Sequence, residues 1–258
     1  MPIIYLRRLT GKVRTTSADV HLGLSLAFIA GAMNAGGFLA VQQYTSHMTG
    51  FVSMMADGLV LGEMKIALAA FGSLVCFMIG SACSEIMINW ARSHQLQSEY
   101  ALPLLFEATL LLVFGALGGN LHKQIGLFVS ITVMLLCFLM GLQNAIITRI
   151  SNAVIRTTHV TGIVTDIGIE LGKMCYWNRK VDREDEAYVR GNRARLSLLT
   201  NLLVMFFVGG VIGAYGFKTI GFIATVPLAL FLLALAVMPV IDDVVLHVKN
   251  ENNRNKTN

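Results

Sequence analysis

Two stretches decide how this chain is read: His47-Met48-Thr49-Gly50-Phe51-Val52-Ser53 and His159-Val160-Thr161-Gly162-Ile163-Val164-Thr165. Four of the seven positions are identical (His, Thr, Gly and Val), and the other three are chemically similar. Upstream of each lies a second match, Gly31-Ala32-Met33-Asn34-Ala35 and Gly141-Leu142-Gln143-Asn144-Ala145. The offset is 110 residues for the upstream pair and 112 for the downstream pair, so two residues separate the copies in length at this point. The chain contains an internal duplication.

The surrounding composition says what the duplicated unit is. Of 258 residues, 55% are apolar and 14% charged, with a mean hydropathy of +0.66, against roughly 25% charged residues in a soluble domain. Between His21 and Ile88 the charged residues are Asp57, Glu63, Lys65 and Glu85, whereas Arg179–Arg195 holds ten in seventeen positions. This is the pattern of a polytopic membrane protein, and it excludes soluble enzymes built on a dinucleotide or P-loop site. Cys76, Cys83, Cys137 and Cys175 follow no Cys-x-x-Cys or zinc spacing, so no disulfide framework is expected. The pI near 9.1 is explained by membrane topology, and no nucleic-acid partner is implied.

Apolar stretches of about 20 residues cross a bilayer. They fall at 21–41, 66–88, 101–119, 125–147, 194–216 and 219–241. The first follows Arg7, Arg8, Lys12 and Arg14, but it is too long for a signal-peptide core and is expected to be retained. Two shorter apolar pieces, 48–62 and 160–172, reach only about 20 Å as helices, so they are expected to be re-entrant or interfacial. The expected fold is an all-α membrane bundle of about six transmembrane helices with two short broken segments. Its parts are a tail at 1–18, one membrane domain at 19–241 holding repeats 20–119 and 125–241 and a charged loop at 174–193, and a tail at 242–258.

Lys and Arg set the orientation. With six spans and the N-terminus inside, seventeen of the twenty lie on the cytoplasmic side; Lys65, Lys123 and Lys218 lie outside. Eight spans would give sixteen against four, so charge leaves that alternative open. The expected location is a bacterial-type inner (cell) membrane with both termini cytoplasmic. A repeat of three spans must enter from the opposite side to its twin, giving the inverted architecture of many transporters. If the short pieces span fully, each repeat has four crossings and the copies are parallel.

The paired motifs Ser46-His47-Met48-Thr49-Gly50 and Arg156-Thr157-Thr158-His159-Val160-Thr161-Gly162-Ile163-Val164-Thr165-Asp166-Ile167-Gly168, with Asn34 and Asn144 upstream, resemble the YoaK family of integral membrane proteins over roughly residues 20–240. The resemblance implies about six spans and no reaction. That family's first motif often reads Thr-Gly-Asn; Phe51 stands where the Asn would fall, so no polar role carries over to it.

The motif residues suit a polar site. Thr49 and Thr161 can each cap a half-helix, and Gly50 and Gly162 admit a close backbone approach. Two half-helix N-termini meeting at mid-membrane would favour an anionic or strongly polar solute. The plainer alternative is helix packing by small residues. His47 and His159 donate, accept or titrate near neutrality, but two histidines make no zinc site. Asn34 and Asn144 can bind solute or link helices. Arg156 is a candidate partner for Asp166 or for an anion, while Asp57, Glu107 and Glu170 are candidate coupling acids because charge in apolar sequence is costly unless paired or functional. No cofactor or metal is implied, and the oligomeric state is not legible. The leading functional expectation is a permease for a small polar or anionic solute. A membrane-embedded enzyme using His159 and Asp166 ranks second, lacking a nucleophile or complete triad, and a non-transporting scaffold third.

Overall fold

The computed structural model describes residues 16–96, 98–118, 127–150, 159–177, 188–237 and 240–241. Within them the chain is helical, with no strand. The helices are α1 (Thr16–Val41), α2 (Met48–Val60), α3 (Met64–Ser93), α4 (Ala101–Gly118), α5 (Leu127–Ile150), α6 (Val160–Cys175) and α7 (Arg193–Ile220), then a 3-10 turn (Gly221–Ala224) leading to α8 (225–237). α1, α3, α4 and α5 are each long and apolar enough to cross a membrane. So is the run Arg193–Val237, whose 45 residues would extend about 68 Å as one helix, over twice a hydrocarbon core. Gly221, with φ +63°, breaks it, because a left-handed residue ends a helix at little cost only as glycine. The chain then doubles back: Phe28 meets Gly209 before the break and Phe231 after it. The short pieces are helices of 13 and 16 residues, α2 and α6.

Why the bundle holds together follows from a second internal repetition, Phe-x-x-Gly, at Phe28/Gly31, Phe77/Gly80, Phe138/Gly141 and Phe206/Gly209. Gly31 lies against the carbonyl of Phe206 and Gly209 against that of Phe28, which locks α1 onto α7. Gly141 and Gly80 lie likewise against the carbonyls of Phe77 and Phe138, locking α5 onto α3. At none of the four would a Cβ fit beside the facing backbone, and such small residues let membrane helices approach closely. The first helix of each repeat therefore packs on the third helix of the other, with the same contacts on both sides. The aromatic pairs follow the same rule: Phe28 meets Phe231 edge-on at 6.4 Å, and Phe138 meets Phe106 at 6.1 Å.

Away from these seams α3 and α7 present Phe71, Met78, Ile79, Ile86, Phe207, Val211, Ile212 and Tyr215 outward. So much exposed apolar surface has its natural solvent in lipid.

Candidate functional site

α2 folds back along α3 through a short turn in which Gly58 packs on Ala67. Its first residue, Met48, then reaches the neighbourhood of Phe77, thirteen residues or about 20 Å along α3. In the second repeat α6 begins at Val160 beside Phe206, again thirteen residues along α7. The starts of both short helices open on one cavity of about 1090 Å³. Equivalent positions line it in pairs: Asn34 and Asn144, His47 and His159, Met48 and Val160, Thr49 and Thr161, Phe77 and Phe206.

The threonines do not cap these helices as the sequence suggested. Each helix starts two residues earlier, with His47 or His159 at the N-cap and no side-chain capping bond. The glycine of each motif explains the geometry: a side chain at Gly50 would strike the His47 ring, and one at Gly162 the His159 ring. His-x-x-Gly is thus a seat, in which the missing Cβ makes room for the imidazole over the first turn. Seated this way, both rings reach the cavity wall.

Hydrogen bonds fix the remaining lining. Ser46 Oγ donates to Asn34 Oδ1 at 2.9 Å, tying the loop before α2 to α1. Thr148 Oγ1 donates to the Asn144 carbonyl at 2.6 Å. Ser81 Oγ lies 3.0 Å from the carbonyls of both Phe77 and Gly141, bridging α3 and α5. Asn144 Oδ1 is buried without a hydrogen-bond partner among the described residues, leaving an acceptor in the wall.

One end of the cavity is charged. Arg149 Nη2 and Glu85 Oε1 lie 3.5 Å apart across α5 and α3, with side chains 42% and 41% exposed, and Asn89 Nδ2 donates to the same Glu85 oxygen at 2.9 Å. Sequence reading counts Glu85 only among the few charges between His21 and Ile88, and gives no site role to Arg149, Ser81, Tyr44 or Thr148. The signal for the two charged residues was the repeat itself: aligned on Phe-x-x-Gly, Glu85 falls opposite Ala214 and Arg149 opposite Leu39, so the copies differ in charge here.

The other candidate residues lie elsewhere. Asp166 binds Arg195 at 3.0 Å and does not line the cavity that holds His159. Glu170, one turn on, accepts from the Asn192 N–H at 2.7 Å and from Lys173 at 2.9 Å, and Arg195 Nη1 stands 3.8 Å away. The Asn192 N–H, and next the Lys173 ammonium, hold the Glu170 carboxyl below the usual carboxylate range. The reason lies in chain length. In the first repeat three residues join α2 to α3, whereas seventeen join α6 to α7, so acids grip the start of α7 where a tight turn suffices for its twin. Asp57 is exposed on α2. Glu107 is fully buried on α4, both oxygens without a hydrogen-bond partner among the described residues. Arg156 lies outside the described residues. No group of three or more His, Cys, Asp or Glu able to hold a metal ion is found among the described residues.

Residues 22–238 match the family described as "Protein of unknown function (DUF1275)", and the chain belongs to that family. No curated protein matches the chain, and no solved structure does.

Proposed function

We propose that this member of the DUF1275 family is a permease for a small polar solute, built as two inverted repeats around one shared site. The observation that carries the reading is the cavity lined by matching residues of both repeats, at the N-termini of the two short helices. Irregular backbone at membrane depth persists where protein or water satisfies it, and two such breaks facing one hydrated space meet that condition together. The free N–H groups of each first turn, with the helix dipole behind them, supply donors to that space.

Helix directions support the inversion. α1 runs parallel to α7, as the successive contacts Gly31–Phe206 and Ala32–Gly213 indicate, and α3 runs parallel to α5 through Gly72–Met134 and Gly80–Phe138. The rings of Phe114, Phe217 and Phe222 cluster with centroids 5.6–6.3 Å apart, bringing the end of α4 to the end of α7. Both ends then lie at one membrane face, which requires that α6 make no net crossing. By the same reasoning α2 makes none, and the copies have three spans each. Lys and Arg counts support cytoplasmic termini, and in that orientation the charged end of the cavity faces the cytoplasm.

The deciding experiment is solute flux into proteoliposomes of the purified protein, with and without a pH gradient. Saturable uptake lost in His47→Ala/His159→Ala supports the permease; uptake indistinguishable from empty vesicles across neutral, anionic, cationic and zwitterionic solutes rejects it.

A further inference from the structure

The two repeats provide an internal control for the helix crossings they share, since a contact that such a crossing needs should occur in both. Glu85 and Arg149 do not. Their counterparts, Ala214 and Leu39, sit on the equivalent helix pair, α7 and α1, which packs closely without a charge at those positions. The ion pair is therefore an addition to the cavity wall, not a requirement of helix packing. Its separation is also longer than in the two hydrogen-bonded charge contacts of α6. Arg195–Asp166 is 3.0 Å and Lys173–Glu170 2.9 Å, close to the roughly 2.7–2.9 Å of a charge-assisted hydrogen bond, and both clamp α6 to α7 or to itself. Glu85 and Arg149 stand 3.5 Å apart, each more than two-fifths exposed. They are a loose, solvent-accessible pair lining a cavity.

We infer that the solute is a small zwitterion, its carboxylate taken by Arg149 and its ammonium by Glu85. This assignment rests on the permease reading of the same cavity. Charge balance selects the class. A zwitterion inserts between the two side chains and exchanges one loose ion pair for two, leaving no charge unpaired. An anion at Arg149 meets the like charge of Glu85, whose oxygen stands 3.5 Å from the guanidinium, and a cation at Glu85 meets that of Arg149; like charges this close repel one another. A neutral solute gains nothing from either charge, and the paired Asn, His and Thr residues would serve it equally at both ends. Arg149 offers a carboxylate two parallel N–H donors, and the unpartnered Asn144 Oδ1, five residues before it on α5, is a further acceptor for an ammonium.

The test is ligand-induced thermal stabilisation of the detergent-purified protein by glycine, alanine and glycine betaine, against propionate, isopropylammonium and lactamide at equal ionic strength. The expected result is that at least one zwitterion raises Tm and the three singly charged or neutral probes do so at least tenfold more weakly in concentration. Glu85→Gln should turn the preference toward propionate, and Arg149→Gln toward isopropylammonium. Glu85→Arg/Arg149→Glu, which restores an ion pair, should keep the preference for zwitterions and guards against loss of fold in the single variants. No stabilisation by any zwitterion, equal stabilisation by propionate or lactamide, or an unchanged preference in both single variants overturns the inference. Radiolabelled alanine uptake separates the two claims: charge-switched binding without flux rejects the permease and keeps the site, whereas flux of a solute indifferent to both substitutions rejects the site and keeps the permease.

Discussion

At the residue scale the His-x-x-Gly seat makes a sharp claim about Gly50 and Gly162. A methyl group at either position meets an imidazole ring, so Gly162→Ala should lower stability by about 1–3 kcal/mol through overpacking, or eject the ring and cut solute uptake. In a His159→Ala background the same change should cost almost nothing. A double-mutant cycle on thermal unfolding measures the coupling, and additive effects would show that the glycine serves something other than the ring. Glu170 makes a claim about pH. Its carboxyl is held below the ordinary range in the folded protein, so the stability it contributes is complete above the unfolded value near 4.3 and drains away as pH falls through the lower folded value. Melting temperature should therefore decline between about pH 5 and pH 3 more steeply in the wild type than in Glu170→Gln. Identical profiles would mean that the clamp contributes nothing. These residues were visible in sequence as acids and as a motif, but not in their roles. A capping threonine and an N-cap histidine differ by two residues of helix start, and which one wins depends on the space that a glycine leaves.

At the scale of elements, the glycines of the helix crossings separate from those that face open space. Gly80→Ala and Gly209→Ala must push apart backbones that touch a facing carbonyl, and each should destabilise by about 1–3 kcal/mol, measured as loss of melting temperature or of detergent-resistant monodisperse protein. Gly168, inside α6 with nothing near its missing Cβ, is the matched control: Gly168→Ala should be neutral or stabilise by up to about 1 kcal/mol, the helix-propensity difference. A similar response at all three would remove the close-packed crossings from the account. Most helices were legible because twenty apolar residues in a row have one common solution in a bilayer. The break between α7 and α8 rests on the left-handed conformation of Gly221 within a run of 45 residues, and the expected gap between spans at 216 and 219 fell close to it. The four Phe-x-x-Gly segments went unread because their partners lie on other helices, and spacing within a helix does not reveal what faces it.

For the whole molecule, the proposed inverted arrangement predicts that reporter fusions after residues 95 and 150 both signal the cytoplasm; external signals at both would require α2 and α6 to cross and would make the copies parallel. Sequence by itself determined the membrane setting, the helical class, the duplication, the two short segments and the pairing of Asn34 with Asn144 and of His47 with His159, because hydropathy and repetition are properties of the order of residues. Tertiary structure decided which of these converge. It brought the paired Asn, His and Thr residues to one cavity, drew Asp166 and Glu170 away to hold the start of α7, and set Glu85 against Arg149, 64 positions apart, on parallel neighbouring helices. The reason is that each repeat's first helix packs on the other repeat's third. Contacts across that exchange depend on the rotation and depth at which two helices cross, and those are fixed by glycine and carbonyl meeting in space, not by any period along the chain.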